Sequence, residues 1–306
     1  MIKVAVIGFG KWGPNLARNF QNSRHFEIKH IVEKSKKNTL KAKLIYPLAN
    51  FYKNYRLLNN KEIDLVIIAT PTSSHFKIAS YFLKKNNVLV EKPLSTSLNE
   101  VNKLEKIGKK FNKLLFVDYP FLFSGSINYL KEIISKKKFG KLIGIESYRE
   151  QAPVRHDTNV IWDLTVHDIS VLIYLINRQP KKIFSYKLKS HQSKKNNTAY
   201  INLEFDKKLH VFIKNSWIAP KKIRVIKFEF EKCFIVCDEN EPLYKIKIYR
   251  KRNNSELNYN IQIPDINISE PLFNLTEYVF KCLKSRNNMI FKNSFNAKIT
   301  KILEKI

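Results

Sequence analysis

Glycine, cysteine and acidic side chains are all scarce in this chain of 306 residues, which has 7 glycines, 3 cysteines and 26 acidic residues against 56 lysines and arginines. No apolar run approaches the roughly 18 residues of a membrane-spanning helix. The cysteines Cys233, Cys237 and Cys282 are odd in number and lack metal-site spacing, which argues against a disulfide framework and against a metal site. Residues 1–20 resemble a strand and a turn instead of a cleavable signal. We therefore expect a cytoplasmic protein without a membrane or metal partner.

The excess of positive charge, formally +30, raises the question of nucleic-acid binding. Lysine outnumbers arginine heavily, whereas recognition of bases and phosphates favours arginine. The lysines are also scattered, and no helix carries a dense basic face interleaved with aromatic residues. We therefore expect no specific nucleic-acid partner, only attraction to polyanions that fades as salt rises. The same positive field would favour an anionic substrate.

Three of the few glycines fall at the end of the first apolar run. Gly8, Gly10 and Gly13 follow residues 2–7, and Pro14 suits the first turn of a helix. A strand that ends in G-x-G-x-x-G and turns into a helix brings backbone amides against a pyrophosphate. The pattern predicts a dinucleotide-binding site.

The second predicted strand, residues 26–32, delivers Glu33 about 20 residues beyond the glycines. An acidic side chain at that point accepts hydrogen bonds from an adenosine ribose, which predicts NAD as the cofactor. Lys34, Lys36 and Lys37 leave NADP as the alternative, because they would neutralise a 2′-phosphate.

The order of predicted elements changes along the chain. Strands and helices alternate up to about residue 120, which is typical of a doubly wound parallel sheet, the Rossmann arrangement. Beyond residue 140 most segments look like strands joined by short turns, which predicts an α/β domain with an open, mostly antiparallel sheet. The length exceeds one typical domain. We predict a Rossmann domain over residues 1–120 and a second α/β domain over residues 121–306.

Two turns with polar side chains follow strands of the first domain. Thr70, Pro71 and His75 come after the fourth predicted strand, and Glu91 and Lys92 after the fifth. In open α/β sheets, ligands bind outside the carboxyl ends of the strands. We therefore expect both turns to line the cofactor cleft, with Lys92 held by the proline that follows it.

A second group of polar residues lies in the segment Trp162-Asp163-Leu164-Thr165-Val166-His167-Asp168. Asp163 and His167 stand four apart, so on an α-helix they share one face. Histidine suits proton transfer at neutral pH, and a carboxylate can orient it. The alternative is structural, with Asp163 as a helix N-cap and His167 as a partly buried residue.

These motifs occur in an order that resembles one family. GFGKWGPN, ATPTSSH, EKP and W-D-x-x-x-H-D together resemble the Gfo/Idh/MocA oxidoreductases. The resemblance implies a Rossmann domain followed by a substrate-binding and oligomerisation domain, assembled into homodimers or homotetramers through sheet faces. It also implies reversible hydride transfer between a nicotinamide and a ring carbon that bears a hydroxyl.

The resemblance also implies roles for individual residues. His167 takes the hydroxyl proton, Lys92 steadies the developing alkoxide and Asp163 orients them, with an exchange of roles between Lys92 and His167 left open. The implied cofactor contacts beside Gly8, Gly10 and Gly13 are Phe9, Lys11, Trp12, Glu33, Thr70, Pro71, His75 and Glu91.

Within the family, the GxWGPN opening and residues 159–164 look most like the branch that oxidises nucleotide-linked sugars, including a UDP-sugar uronate at the 3-position. Arg149, Arg155 and Asn159 are predicted to clamp a diphosphate or carboxylate, with Trp162 as a further substrate contact; the alternative is ordinary polar residues on a loop. Asp118-Tyr119-Pro120 replaces a glycine-histidine pair of relatives, which leaves the sugar open.

Two alternative functions are compatible with the same fold. One is an NADPH-dependent reductase of a keto-sugar or an imine. The other is a catalytically silent sensor of a sugar or a dinucleotide. The joint presence of Lys92, Asp163 and His167 argues against the sensor, because a binding protein needs no acid/base pair.

Overall fold

The structure of the chain, a computed structural model, describes residues 1–59, 62–155, 157–189, 195–206, 209–251, 258–288, 290–291 and 294–306. These residues form two compact units. The first consists of Met1–Pro120 and Glu270–Thr300, and the second of Phe121–Ser269 and Lys301–Ile306. The division into functional domains at residue 120 stays a proposal.

The first unit is built on six strands: β1 Ile2–Ile7, β2 Phe26–Val32, β3 Asn50–Tyr52, β4 Leu65–Ile68, β5 Asn87–Glu91 and β6 Leu115–Asp118. They lie in the order β3-β2-β1-β4-β5-β6, and every neighbouring pair is parallel. The helices between them are α1 Gly13–Asn22, α2 Lys36–Ile45, α3 His75–Phe82 and α4 Leu98–Lys110. The sheet confirms the predicted doubly wound arrangement.

The central strands of this sheet are apolar on both faces. Val4, Val6, Ile67 and Val90 are all fully buried, as expected for parallel strands covered by helices on both sides. The strand order reverses between β1 and β4, so the turns that follow these two strands meet at the carboxyl edge of the sheet. The fold therefore brings the glycine turn beside the turn that begins at Ala69.

The second unit contains eight strands: β7 Leu142–Glu150, β8 Lys182–Leu188, β9 Thr198–Glu204, β10 His210–Ser216, β11 Ile223–Phe230, β12 Cys233–Asp238, β13 Ile246–Lys251 and β14 Tyr259–Gln262. Their order is β14-β13-β12-β11-β7-β10-β9-β8. The pair β7 and β10 is parallel, and the other neighbouring pairs are antiparallel. The predicted open, mostly antiparallel sheet is confirmed.

Two helices accompany this sheet, α5 Gly125–Ser135 and α6 Val166–Ile176. Residues Ile161–Thr165, directly before α6, form a π-helical turn. The α-helix considered for Asp163 and His167 thus begins with a wider π turn, a feature that is frequent at functional sites. The junction between the π turn and α6 carries the residues that the sequence marks as catalytic.

The chain ends in two helices, α7 Pro271–Ser285 and α8 Phe295–Lys305. Helix α7 packs against α1. Arg18 forms an ion pair with Glu270 at 2.7 Å, and the Ser23 hydroxyl donates a hydrogen bond of 3.0 Å to Glu277. The first unit is thus completed by residues from near the end of the chain.

None of the helices in the described ranges has the length and hydropathy needed to cross a bilayer. Within the same ranges, no cluster of three or more histidine, cysteine or acidic side chains is arranged to hold a metal ion. The three cysteines are buried and reduced.

Candidate active site

In the turn after β1, each of the three glycines has different structural surroundings. Gly8 has φ +91°, and a Cβ there would lie 2.6 Å from the carbonyl oxygen of Ala69, so a side chain is excluded by conformation and by space. A Cβ on Gly13 would overlap the carbonyl oxygen of Gly8. At Gly10 a Cβ would meet nothing within 4 Å. Gly8 and Gly13 serve the turn itself, whereas Gly10 faces open space.

That open space belongs to a cavity of about 680 Å³ within the first unit. The turns after β1, β2 and β4 line it, with Gly10, Glu33, Thr70 and Pro71 among the predicted cofactor contacts. The bare backbone at Gly10 and the start of α1 just beyond it suit a pyrophosphate, because a glycine lets the phosphate approach and a helix N-terminus offers unpaired N–H groups. The residues present therefore fit a dinucleotide.

Glu33 joins the glycine turn to the end of β2. Its Oε2 accepts a hydrogen bond of 2.6 Å from the backbone N–H of Phe9, and its Oε1 accepts one of 2.7 Å from that of Ser35. A carboxylate has about four acceptor sites, so two backbone bonds leave capacity for ribose hydroxyls. The Phe9 ring is buried and packs edge-on against Tyr46, so it does not present a side-chain surface to the cofactor, and its backbone N–H is the group that holds Glu33.

His75 lies inside the turns instead of on their surface. It is fully buried, with Nδ1 at 2.9 Å from the carbonyl oxygen of Pro93 and Nε2 at 2.7 Å from that of Thr70. Both ring nitrogens are thus engaged with the backbone. The predicted direct contact between His75 and the cofactor does not fit this placement; the residue ties the turn after β4 to the turn after β5.

The predicted catalytic Lys92 and the remaining predicted cofactor contacts lie at or near the same edge. Lys92, at the end of β5, is only 9% exposed, Glu91 and Trp12 are partly buried, and Lys11 is exposed. The indole Nε1 of Trp12 donates a hydrogen bond of 2.5 Å to Oδ2 of Asp118.

Asp118 was not among the predicted site residues. It ends β6 and is fully buried, and this burial raises the pKa of its carboxyl to about 6. The hydrogen bond from Trp12 and the positive charge of Lys92 act in the opposite direction. The only signal in the sequence was its departure from the glycine of relatives, which indicates a difference but no role.

In the second unit, Asp163 lies on the π turn and is 8% exposed. It accepts hydrogen bonds from Trp217 Nε1 at 2.9 Å and from Arg155 at 3.4 Å. His167, in the first turn of α6, is partly exposed, and its ring packs edge-on against Phe121 with centroids 5.2 Å apart. The π turn widens the helical path before His167, so the single α-helical face that we predicted for the pair is not formed as such.

The N-cap role weighed for Asp163 belongs to Asn159. The side-chain oxygen of Asn159 accepts hydrogen bonds from the backbone N–H groups of Ile161 at 3.0 Å and Trp162 at 3.2 Å. Trp162 itself is partly exposed. The acceptor oxygen of Asn159 thus holds the start of the π turn, and the predicted substrate clamp, which would use the amide N–H donors, stays a prediction.

A buried polar network fixes α6 to the sheet. Asp168, 1% exposed, accepts hydrogen bonds of 2.8 Å from Ser147 on β7 and from Asn215 on β10. Asn215 in turn accepts a hydrogen bond of 2.5 Å from Thr165. The network anchors the residues on both sides of His167.

Arg149 belongs to this network. It is 4% exposed, pairs with Asp168 at 3.2 Å and lies over the ring of Phe121, 4.3 Å from the centroid. The predicted clamp on a diphosphate is at odds with this burial, because the guanidinium is already satisfied inside the unit. Arg155 differs, since its side chain is 29% exposed and pairs with Asp157 at 2.7 Å and Asp163 at 3.4 Å.

Comparison with known proteins agrees with this arrangement. Residues 2–119 match the model of an oxidoreductase family with an NAD-binding Rossmann fold, and residues 127–239 match the GFO/IDH/MocA C-terminal domain. The matched N-terminal part is therefore an NAD(P)-binding Rossmann domain, as predicted from the glycines.

Individual relatives are more distant. Myo-inositol 2-dehydrogenase of Thermotoga maritima is 27% identical over 195 residues, which cover 60% of this chain and 58% of the relative. UDP-N-acetylglucosamine 3-dehydrogenase of Acidithiobacillus ferrooxidans is 28% identical over 122 residues, 39% of this chain and 38% of the relative. The chain thus matches between 38% and 58% of the length of these curated relatives.

A solved structure of the Acidithiobacillus ferrooxidans enzyme has the same fold. It superposes with a TM-score of 0.87 at 17% identity and covers 100% of this chain and 96% of the other.

Proposed function

Because the chain belongs to the Gfo/Idh/MocA family of oxidoreductases, we propose that it transfers a hydride between a nicotinamide dinucleotide and a hydroxyl-bearing ring carbon of a sugar or nucleotide sugar. The observation that carries the proposal is the cavity of about 680 Å³ at the glycine turn, where Gly10 is open and Glu33 stands beside it. NAD(P), when bound there, supplies the group that accepts or gives the hydride.

The chain itself supplies the proton chemistry. Oxidation of a carbinol releases a hydroxyl proton, and a histidine at Nδ1 or Nε2 is suited to accept it near neutral pH. We assign that role to His167, whose position the Asp168 network holds from both sides. The ammonium of Lys92 stabilises the developing alkoxide, and Asp163 orients the proton acceptor. The exchange of roles between Lys92 and His167 is part of the proposal.

Two relatives support the proposed substrate class. The names myo-inositol 2-dehydrogenase and UDP-N-acetylglucosamine 3-dehydrogenase both denote dehydrogenation at a numbered position of a polyhydroxylated ring. In this chain, Arg155 and Trp162 keep exposed surface near Asp163 and are the proposed substrate contacts. A guanidinium suits an anionic substrate, and the excess of positive charge favours the same class.

The reducing direction with NADPH is a second candidate, favoured by one observation. Lys34, Lys53 and Lys77 line the cavity around Glu33. Three ammonium groups would attract the 2′-phosphate that distinguishes NADP from NAD. This candidate uses the same residues in the opposite direction.

The test is a turnover assay. Purified protein is incubated with NAD or with NADP and a panel of UDP-sugars, their uronates, myo-inositol and free hexoses, and the absorbance of the reduced nicotinamide is followed. We expect turnover of at least one ring carbinol, and consumption of NADPH with a keto-sugar would establish the second candidate instead. Dinucleotide binding by calorimetry without turnover in either direction would contradict the proposal and favour a sensor.

A matched pair of variants tests the role of Lys92. Lys92→Met should abolish turnover and retain dinucleotide binding, because the lysine acts on the substrate alkoxide. Lys84→Met removes an exposed ammonium from the turn after α3 and should leave both unchanged. Full turnover by Lys92→Met would remove the lysine from the mechanism.

A further inference from the structure

The carboxyl group of Asp118 is buried, and an ionised carboxylate in the protein interior needs hydrogen-bond donors or a counter-charge. Asp118 is fully buried at the carboxyl end of β6. Its Oδ2 accepts the hydrogen bond from Trp12, whereas its Oδ1 has no hydrogen-bond partner among the residues that the structure describes. One indole N–H is a weak compensation for a buried charge.

The counter-charge comes from the neighbouring strand. Asp118 is the register partner of Glu91 at the end of β5, and Lys92 is the next residue along the chain. Lys92 is itself 9% exposed, and its charge favours the ionised form of Asp118. A buried ammonium and a buried carboxylate at adjacent strand ends each reduce the cost of the other's burial.

We propose that Asp118 is the counter-ion of Lys92, a positioning residue that keeps the lysine charged and links its ionisation to the tryptophan of the glycine turn. The proposal rests on the proposed function only for the catalytic importance of Lys92. The electrostatic link exists in the protein without substrate or cofactor.

Two groups act on the carboxylate. The indole of Trp12, from the start of α1, donates a hydrogen bond to it, and Lys92, which follows the register partner Glu91 at the end of β5, supplies the opposite charge. Because the interaction of two ionisable groups is reciprocal, the ionised carboxylate of Asp118 stabilises the ammonium of Lys92, just as charged Lys92 lowers the pKa of Asp118. Removal of either group must therefore move the titration of the other.

The Trp12 component of the intrinsic fluorescence provides the direct test; because the chain has 3 tryptophans, this component is isolated by subtracting the emission of the same protein carrying Trp12→Phe. The protein is titrated between about pH 4.5 and 9 without cofactor, and the tryptophan emission is recorded, since the carboxylate that accepts the indole N–H changes charge in this range. Wild type should show a step with a midpoint near pH 6. In this difference, Asp118→Asn retains an acceptor for the indole and should lose the step.

Two further variants test whether the charge of Lys92 sets the midpoint of the fluorescence step. Lys92→Met should move the midpoint upward by about one pH unit or more, whereas Asp64→Asn, which removes an exposed carboxylate that caps the backbone N–H of Lys3, should leave it in place. In enzyme with turnover, Asp118→Asn should shift the limb of the pH–rate profile that belongs to Lys92 to lower pH by a similar amount. The proposal would be overturned if the fluorescence step persisted in Asp118→Asn or if its midpoint were unchanged in Lys92→Met, whether or not turnover is found.

Discussion

The buried pair of Arg149 and Asp168 allows a prediction that separates a structural role from a substrate-binding role. The side chains of Arg149 and Asp168 are 4% and 1% exposed. Removal of one partner of such a pair leaves the other charge uncompensated, which costs about 3–5 kcal/mol of folding free energy. In Arg149→Met the remaining carboxylate still has donors in Ser147 and Asn215, so we expect the lower end of this range, about 3 kcal/mol.

Asp168→Leu should cost more, about 4–5 kcal/mol, because the guanidinium is left with the ring of Phe121 as its main partner. The double variant should lose less than the sum of the two single losses, since neither charge is then left alone. Measured as thermal unfolding by circular dichroism, about 3 kcal/mol corresponds to a fall in Tm of roughly 6–12 °C.

Arg155→Met is the matched control. Its pair with Asp157 is partly exposed, and such pairs contribute less than about 1 kcal/mol. The buried Asp163 keeps the hydrogen bond from Trp217, so Tm should change less than in Arg149→Met while KM for an anionic substrate rises. The reasoning would be refuted if Arg149→Met kept its Tm and raised KM, the behaviour of an accessible substrate clamp.

Three further predictions concern the first unit. Gly8→Ala should lower the free energy of unfolding by about 3 kcal/mol, because Gly8 has a positive φ and lies close to the carbonyl of Ala69. Gly10→Ala should leave the Tm unchanged and weaken dinucleotide binding about tenfold or more in calorimetry. An equal loss of stability in both variants would contradict the different surroundings of the two glycines. Glu33→Ala should weaken NAD about tenfold, and more than NADP, since a hydrogen bond to a charged group contributes about 1.5–3 kcal/mol; equal affinities before and after the change would refute the ribose contact. Burial raises the pKa of Asp118 from 3.8 to about 6, so its protonated form favours folding at low pH and about 3 kcal/mol of this stability is lost as the pH rises through 6. Asp118→Asn does not titrate but leaves the ammonium of Lys92 without its counter-charge, so the Tm of wild type relative to that of Asp118→Asn should fall between pH 4 and pH 7.5, whichever protein is the more stable at either pH; a constant difference across this range would contradict the raised pKa.

Local sequence signals predicted most elements of both sheets. The buried run of β1 and the alternation in β10 each carry the period of a strand. The position of the three-residue strand β3 was not predicted, since a segment of this length has no measurable period, and its partner β2 supplies the pairing. The parallel pairing of β7 with β10 joins segments about 60 residues apart and depends on contacts that no local pattern records.

Within the site, the glycine turn was predictable because each element of the motif acts through its own backbone. The surroundings of Arg149, His75 and Asn159 were not. Each of these polar side chains is satisfied by a partner that the fold brings from elsewhere or by the backbone of its own turn. A polar residue near a motif looks the same in sequence whether it meets a ligand or a buried partner, and burial decides between the two.

The packing of α7 against α1 has a consequence for biosynthesis. During translation, residues 1–120 leave the ribosome well before Glu270–Thr300, which belong to the same compact unit. Until that segment arrives, the surface of α1 that receives α7 stays exposed to water and to other nascent chains, which favours association with chaperones. Synthesis of the dinucleotide-binding unit thus starts first, but the unit is complete only near the end of translation. Fragments that stop near residue 120 should therefore be prone to aggregation even though they carry the whole glycine motif.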